Sequence, residues 1–391
     1  MRIYCSVGAC LLCAFSAGAQ ADFNFVHPGI LTSEVQLRYV RDHKHLEPWA
    51  TSMHAALASP LADRNYRARP WSIVHCGAYS VPDYGCSDEI RDAQAAYLQA
   101  LLWRYTGDPA YAENVREIFK AWTETLEQHT GNNRRLQASW AAQLFTRAAE
   151  IVKYSYGGWP QVEKDAVTRM FREQYRPYAS QMFLPSTGND FKNNSNWQAS
   201  AVEALVNIAI FTKDEQGFHE ALSKWKSLLG SYIYLPWDGA RPLDAVWFGR
   251  SYNEVMQKWG NPTRLISGMP MEFCRDLPHS GYGVAALINV AETARIQGVD
   301  LYQEYATRLT QGMETLSRYS LDLYEQNSDY PQICGKRVDG WPRGTLFIGY
   351  NQYAMRLGMS LPYTLEFIEK HPTFAGHVHY QWERLTHYGV P

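Results

Sequence analysis

The sequence has no excess of either charge: 37 Lys and Arg face 39 Asp and Glu, for a formal net charge of −2. A generally basic nucleic-acid-binding surface is thereby excluded. Past its first segment the chain has no apolar run long enough to cross a bilayer. Strand-type alternation is scarce, no TPR- or HEAT-type repeat is present, and no tail has a biased composition. Cysteine is sparse, at seven in 391 residues. No HxxxH occurs, and no CxxC occurs past residue 21, so a zinc site lacks its usual spacing.

The first segment reads as an export leader. Arg2 supplies a positive start, Val7 to Ala17 form a short apolar run, and Ala19-Gln20-Ala21 is a cleavage signature. The expected layout is a signal peptide over 1–21 and one domain over 22–391, secreted or periplasmic. Three cysteines leave with the leader. Cys76, Cys86, Cys274 and Cys334 remain, an even number suited to disulfides in an oxidising compartment. Three pairings are possible; a local Cys76–Cys86 bridge and a long-range Cys274–Cys334 bridge are the expected ones.

The body reads as successive amphipathic helices. Asp108 caps one with Pro109 at its first position, and Tyr111, Val115, Ile118, Phe119, Trp122 and Leu126 share a face. Residues 87–105 form the preceding helix, and Gly107-Asp108-Pro109 makes the turn between the two. Further helices are predicted near 136–156, 161–174, 196–212, 215–230, 281–298, 301–325, 350–357 and 363–370. Paired helices in this number most simply close into an all-α (α/α) toroid with a central cleft. Four stretches interrupt them: 60–86, 183–196, 231–280 and 326–349. They are rich in Gly, Pro, Asn and aromatics, and stretches of this length and composition are expected to line the cleft.

Three clusters in these stretches carry chemistry. The first runs from Gly188 to Trp197 and includes Asn193-Asn194-Ser195-Asn196. The second is Glu272-Phe273-Cys274-Arg275-Asp276-Leu277-Pro278-His279-Ser280-Gly281-Tyr282. The third runs from Lys336-Arg337 through Gly340-Trp341-Pro342-Arg343 to Tyr350-Asn351-Gln352-Tyr353. Asn-x-Asn-Trp opening a helix, and Glu-x-x-Arg-Asp-x-x-His leading to Gln297-Gly298-Val299-Asp300-Leu301-Tyr302, resemble the alginate-lyase superfamily of (α/α) toroid enzymes. The similarity is closest to the polysaccharide lyase family 38 branch, which acts on alginate and glucuronan. Leu277 and Gln352 depart from that pattern. The resemblance implies β-elimination on a 1,4-linked uronic-acid polymer.

That chemistry asks for particular groups. The C5 proton of a uronate is poorly acidic while its carboxylate is charged, so the site must neutralise the carboxylate, take the proton and protonate the leaving oxygen. Amides and guanidinium groups suit the first task. Asn194 is assigned to it, with Asn196 contributing to substrate binding. His279 is the expected base or a neutralising partner, with Glu272, Arg275 and Asp276 as an ion-pair brace. For the acid, Arg343 with Tyr350 is preferred because Pro278 and Gly281 argue against a continuous helix through Arg275 and Tyr282. Tyr282 and Tyr353 remain secondary candidates. Trp197, Trp247, Tyr252 and Trp341 are candidate sugar-stacking residues, and Lys336 and Arg337 candidate contacts to an anionic polymer. No metal or cofactor is called for, and a monomer with no nucleic-acid or membrane partner is expected. The alternatives are a toroid glycoside hydrolase, using two carboxylates from Asp190, Asp244, Glu254, Glu272 and Asp276, and a non-catalytic carbohydrate-binding protein.

Overall fold

A computed structural model describes residues 23–184, 195–244, 251–325, 329–336, 340 and 342–391. The leader, Asn194, Trp247, Arg337 and Trp341 lie outside the described residues, as does Asp190. In chain order the elements begin with α1 (Glu34–His43) and α2 (Trp49–Ala58), followed by strands β1 (Ile73–Ala78) and β2 (Val81–Tyr84). Then come α3 (Cys86–Thr106), α4 (Pro109–Thr125), strand β3 (Gln128–Thr130), α5 (Arg134–Lys153), α6 (Gln161–Met170) and α7 (Arg176–Ser180). The second half holds α8 (Ser195–Thr212), α9 (Glu215–Tyr232), α10 (Tyr252–Lys258), α11 (Leu277–Ile296), α12 (Leu301–Glu304) and α13 (Ala306–Glu325). The last four are α14 (Tyr330–Cys334), α15 (Phe347–Tyr350), α16 (Pro362–Lys370) and α17 (Glu383–Thr386).

Two kinds of helix build the (α/α) toroid. Helices α3, α5, α8 and α11 are apolar or small on nearly every side and are buried all round, so they form the inner layer, each packed on the next. Helices α4, α6, α9 and α13 have one apolar stripe and pack outside. The α4 stripe is the predicted one: Tyr111, Val115, Ile118, Phe119 and Trp122 are buried. Asp108 caps that helix by accepting from the Ala110 N–H at 3.0 Å, and Gly107 ends α3 in the left-handed region at φ 75°.

The strands form a small sheet in the order β2-β1-β3. β1 pairs antiparallel with β2 (Ala78 opposite Val81) and parallel with β3. Disulfides join Cys76 to Cys86 and Cys274 to Cys334. The first fastens the hairpin to the start of α3, and the second fastens the segment before α11 to α14. No helix among the described residues is long and apolar enough to cross a membrane.

Candidate active site

The first turns of α5, α8 and α11 open on one cleft of about 970 Å³. α5 contributes Arg134, Arg135 and Trp140; α8 contributes Asn196 and Trp197; α11 contributes His279 and Tyr282. The N-termini of three long helices converge there, and the positive ends of their dipoles add to the cationic character of the floor. Among the described residues, six basic side chains line the cleft (Arg134, Arg135, Lys258, Arg275, Lys336 and Arg343) against one carboxylate, Glu272. All four interrupting stretches reach it, through Tyr79 and Ser80, Asn196, Lys258 to Arg275, and Lys336 with Arg343.

The segment ahead of α11 is shaped by its backbone. Glu272 adopts φ 65°, a left-handed conformation that costs a non-glycine residue about 1 kcal/mol. The turn leaves the Glu272 carboxylate between two partners. One oxygen accepts from Arg275 Nη1 at 2.7 Å, and the other from the Asn196 side-chain amide at 2.7 Å. Asp276 caps α11, accepting from the His279 N–H at 2.8 Å, and the same carboxylate lies 2.7 Å from His279 Nδ1. A carboxylate can only accept, so Nδ1 carries the proton and Nε2 is left as the basic nitrogen. Burial opposes ionisation of Asp276, but its bonds to His279 and the neighbouring Arg275 hold its carboxyl below the usual range.

Tyr282 stands one turn along α11 and is 6% exposed, its ring 5.7 Å from that of His279. Burial pushes its phenol above the ordinary tyrosine value; Arg343 works against that shift and Asp276 adds to it. On its other side the ring of His377 stacks at 3.9 Å, and Trp140 meets His377 edge-on at 4.9 Å.

The cleft thus brings together His279, Arg275, Tyr282, Arg343, Lys336, Trp197 and Asn196. Several expectations need correction. Tyr350 is not in the lining: it ends α15 and packs 6.3 Å from Tyr388, with Glu314 and Glu369 nearby. Arg343 lies before α15 begins, so seven-residue spacing puts no shared helical face under the pair. Tyr353 is fully buried and donates to the Tyr302 carbonyl. Tyr252 starts α10 under the Arg241 guanidinium, outside the lining. Asn196 is buried and its side-chain amide donates to Glu272, so it braces the floor of the cleft. Pro278 and Gly281 do not interrupt α11. Pro278 occupies its first turn, where no N–H is needed, and Gly281 makes room for the Tyr380 hydroxyl, which donates to its carbonyl at 2.7 Å. Arg275 still precedes the cap, so it and Tyr282 do not share a helix face.

Three lining groups were missed in the sequence. Arg134 and Arg135 follow Asn132-Asn133, a basic cluster visible in the sequence. His377 belongs to a His-x-His pair with His379. Tyr79 and Ser80 form the β1–β2 turn with φ 53° and 55°, without the Asn-Gly that usually signals one. Of the carboxylates considered for a hydrolase, Glu272 and Asp276 are tied to Arg275, Asn196 and His279, and Asp244 and Glu254 do not line the cleft.

A family model described as alginate lyase matches residues 83–326. Among solved structures, the chain resembles a variant of alginate lyase A1-III complexed with a tetrasaccharide, at 16% identity and a TM-score of 0.59, covering 87% of this chain and 90% of that one. It also resembles alginate lyase A1-III from Sphingomonas species A1, at 15% identity and a TM-score of 0.56 over 88% and 93%. An alginate lyase from Bacteroides ovatus matches at 11% identity and a TM-score of 0.58 over 92% and 99%. No match was found among curated proteins.

Proposed function

The chain belongs to the alginate lyase family and is a polysaccharide lyase, and from that premise we propose that it cleaves a 1,4-linked polymer of mannuronate or glucuronate by β-elimination, with His279 as base and Tyr282 as acid. The observation that carries this reading is the first turn of α11. It presents an imidazole oriented by Asp276 and a protonated phenol to one side of a cleft whose other charged groups are mostly cations.

The sugar carboxylate would sit against Arg343 and Arg275, which draw off its charge and make the C5 proton removable. His279 Nε2 takes that proton, and Asp276 stabilises the resulting imidazolium. The C5–H electron pair becomes the C4–C5 double bond. The C4–O bond breaks, and its oxygen leaves with the proton of Tyr282. Transfer of the proton from His279 through solvent to the phenolate resets the site. Trp197, Tyr79 and Lys336 line the cleft where flanking sugars would lie. Residues 1–21, read as a leader, support export, and two disulfides suit a compartment outside the reducing cytosol.

Because base and acid rise from one helix turn, they approach the sugar from one side. Mannuronate and glucuronate carry the C5 hydrogen and the 4-oxygen on the same ring face, whereas guluronate carries them on opposite faces. The protein should therefore raise ultraviolet absorbance, from the new double bond, with polymannuronate or glucuronan and at least about tenfold more slowly with polyguluronate. New reducing ends without that absorbance, or equal rates on polyguluronate, would refute the assignment.

A further inference from the structure

The proposed reaction uses Tyr282 but leaves His377 without a task, although His377 lines the same cleft. Its imidazole covers one face of the phenol, with ring centroids 3.9 Å apart and planes 17° apart. Trp140 also meets the imidazole in a T-shaped contact, with centroids 4.9 Å apart. Its Nδ1 is buried and has no hydrogen-bond partner among the described residues, so the ring is held by these ring contacts and by its own loop.

That loop is fixed on both sides of the ring. The His377 carbonyl accepts from the Tyr380 N–H at 2.8 Å and from the Gln381 amide at 3.0 Å, while the Gly376 N–H donates to the Tyr380 carbonyl at 2.9 Å. The Tyr380 hydroxyl clamps the loop to α11 through Gly281. Any side chain at Gly376 would run into the Arg343 carbonyl oxygen, so the loop also packs directly on the backbone of that arginine.

We propose that His377 is a positioning residue for Tyr282: its flat ring closes one face of the phenol to water and fixes the plane from which the hydroxyl reaches the sugar. This inference rests on Tyr282 being the acid. The groups facing the imidazole are Tyr282 and His279 from α11, His379 from its own loop, and Arg343. Burial, followed by His379, Arg343 and His279, holds the imidazole well below its ordinary pKa, so it stays neutral and does not pull the proton from the phenol. An imidazole also leaves a polar edge to a wet cleft, where a phenyl would expose an apolar one.

The test compares His377→Ala with His377→Phe, which keeps a flat ring, by kcat, KM and pH profile on the preferred uronan, with circular dichroism and melting to verify the fold. In His377→Ala, kcat should fall about tenfold or more with KM within about threefold. Its alkaline limb should move to lower pH, because opening the phenol to water relieves the burial that raises its pKa. His377→Phe should return kcat to within about threefold and restore the limb. A normal kcat and pH profile in His377→Ala, or a His377→Phe variant as impaired as His377→Ala, would overturn the proposal. Tyr282→Phe serves as the control. If it turns over normally, the acid assignment itself has failed; if it is inactive while His377→Ala is normal, only the positioning role has.

Discussion

At the scale of single residues, the proposed reaction assigns its two protonation tasks to groups in different environments. His279 has one nitrogen fixed by Asp276 and the other turned to the cleft, the arrangement of an oriented base. Tyr282 is buried beside it, so its phenol keeps its proton above the range where tyrosine ordinarily ionises, roughly pH 10. The proposed acid is therefore protonated at neutral pH, and the alkaline loss of activity should fall above that ordinary range. Tyr282→Phe and His279→Ala should each lower kcat by about a hundredfold or more, the scale of a lost acid–base group. Tyr350→Phe, far from the lining, should stay within about twofold of the wild type. An inactive Tyr350→Phe beside an active Tyr282→Phe would reverse the assignment.

At the scale of elements, local rules account for what the sequence reveals and for what it conceals. The α4 helix was legible because its cap, its first-turn proline and its apolar stripe agree. The interrupting stretches were legible as cleft-lining because aromatic-rich loops of that length need a surface to cover. The start of α11 was misread: Pro278 and Gly281 look like breakers, yet one sits where proline is tolerated and the other where a tyrosine hydroxyl closes in. The β1–β2 hairpin was invisible because its strands are short and its turn lacks glycine.

The Cys274–Cys334 bridge belongs to this scale too. It closes a 60-residue loop and ties the Glu272–Asp276 segment to the strand of chain that carries Lys336. On chain-entropy grounds it stabilises the fold by at most about 4 kcal/mol. Replacing both cysteines with serine should lower the denaturation midpoint and weaken polymer binding together. A midpoint unchanged from the wild type would show the bridge to be mechanically idle.

At the scale of the molecule, the toroid is closed by a buried polar seam. Glu292 of α11 accepts from Gln36 of α1 at 2.9 Å and from Arg295 at 2.7 Å, and Arg356 and His387 lie at 3.4 and 3.9 Å. His387, near the C-terminus, also bonds the Leu31 carbonyl, and the Leu31 N–H donates to Thr293, so the segments around Leu31 and His387 meet on one inner helix. Burial, aided by Arg356, lowers the His387 pKa from 6.5 to about 4 despite Glu292. The unfolded chain therefore binds this proton first on acidification. Stability should fall as pH drops from about 6.5 to about 4, by on the order of 3 kcal/mol. Glu292, held at about 2 by Arg295 against the opposing effect of burial, adds a further loss only below about pH 4.5. Thermal melts between pH 7 and 4 check this, and a flat melting temperature across that window would rule out the seam as the acid-sensitive point.

The sequence by itself determined the class of this protein. Helical spacing and caps are local features, set by residues a few positions apart, and they lead to a helical toroid; the Arg-Asp-x-x-His cluster carries the family resemblance that implies uronan chemistry. Only the tertiary structure placed Tyr282, and not Tyr350 or Tyr353, beside His279 in the cleft. Tyr282, Tyr350 and Tyr353 look alike along the chain. What separates them is which helix turn opens on the cationic cleft, and that depends on packing between residues as distant as Trp140, Tyr282 and His377.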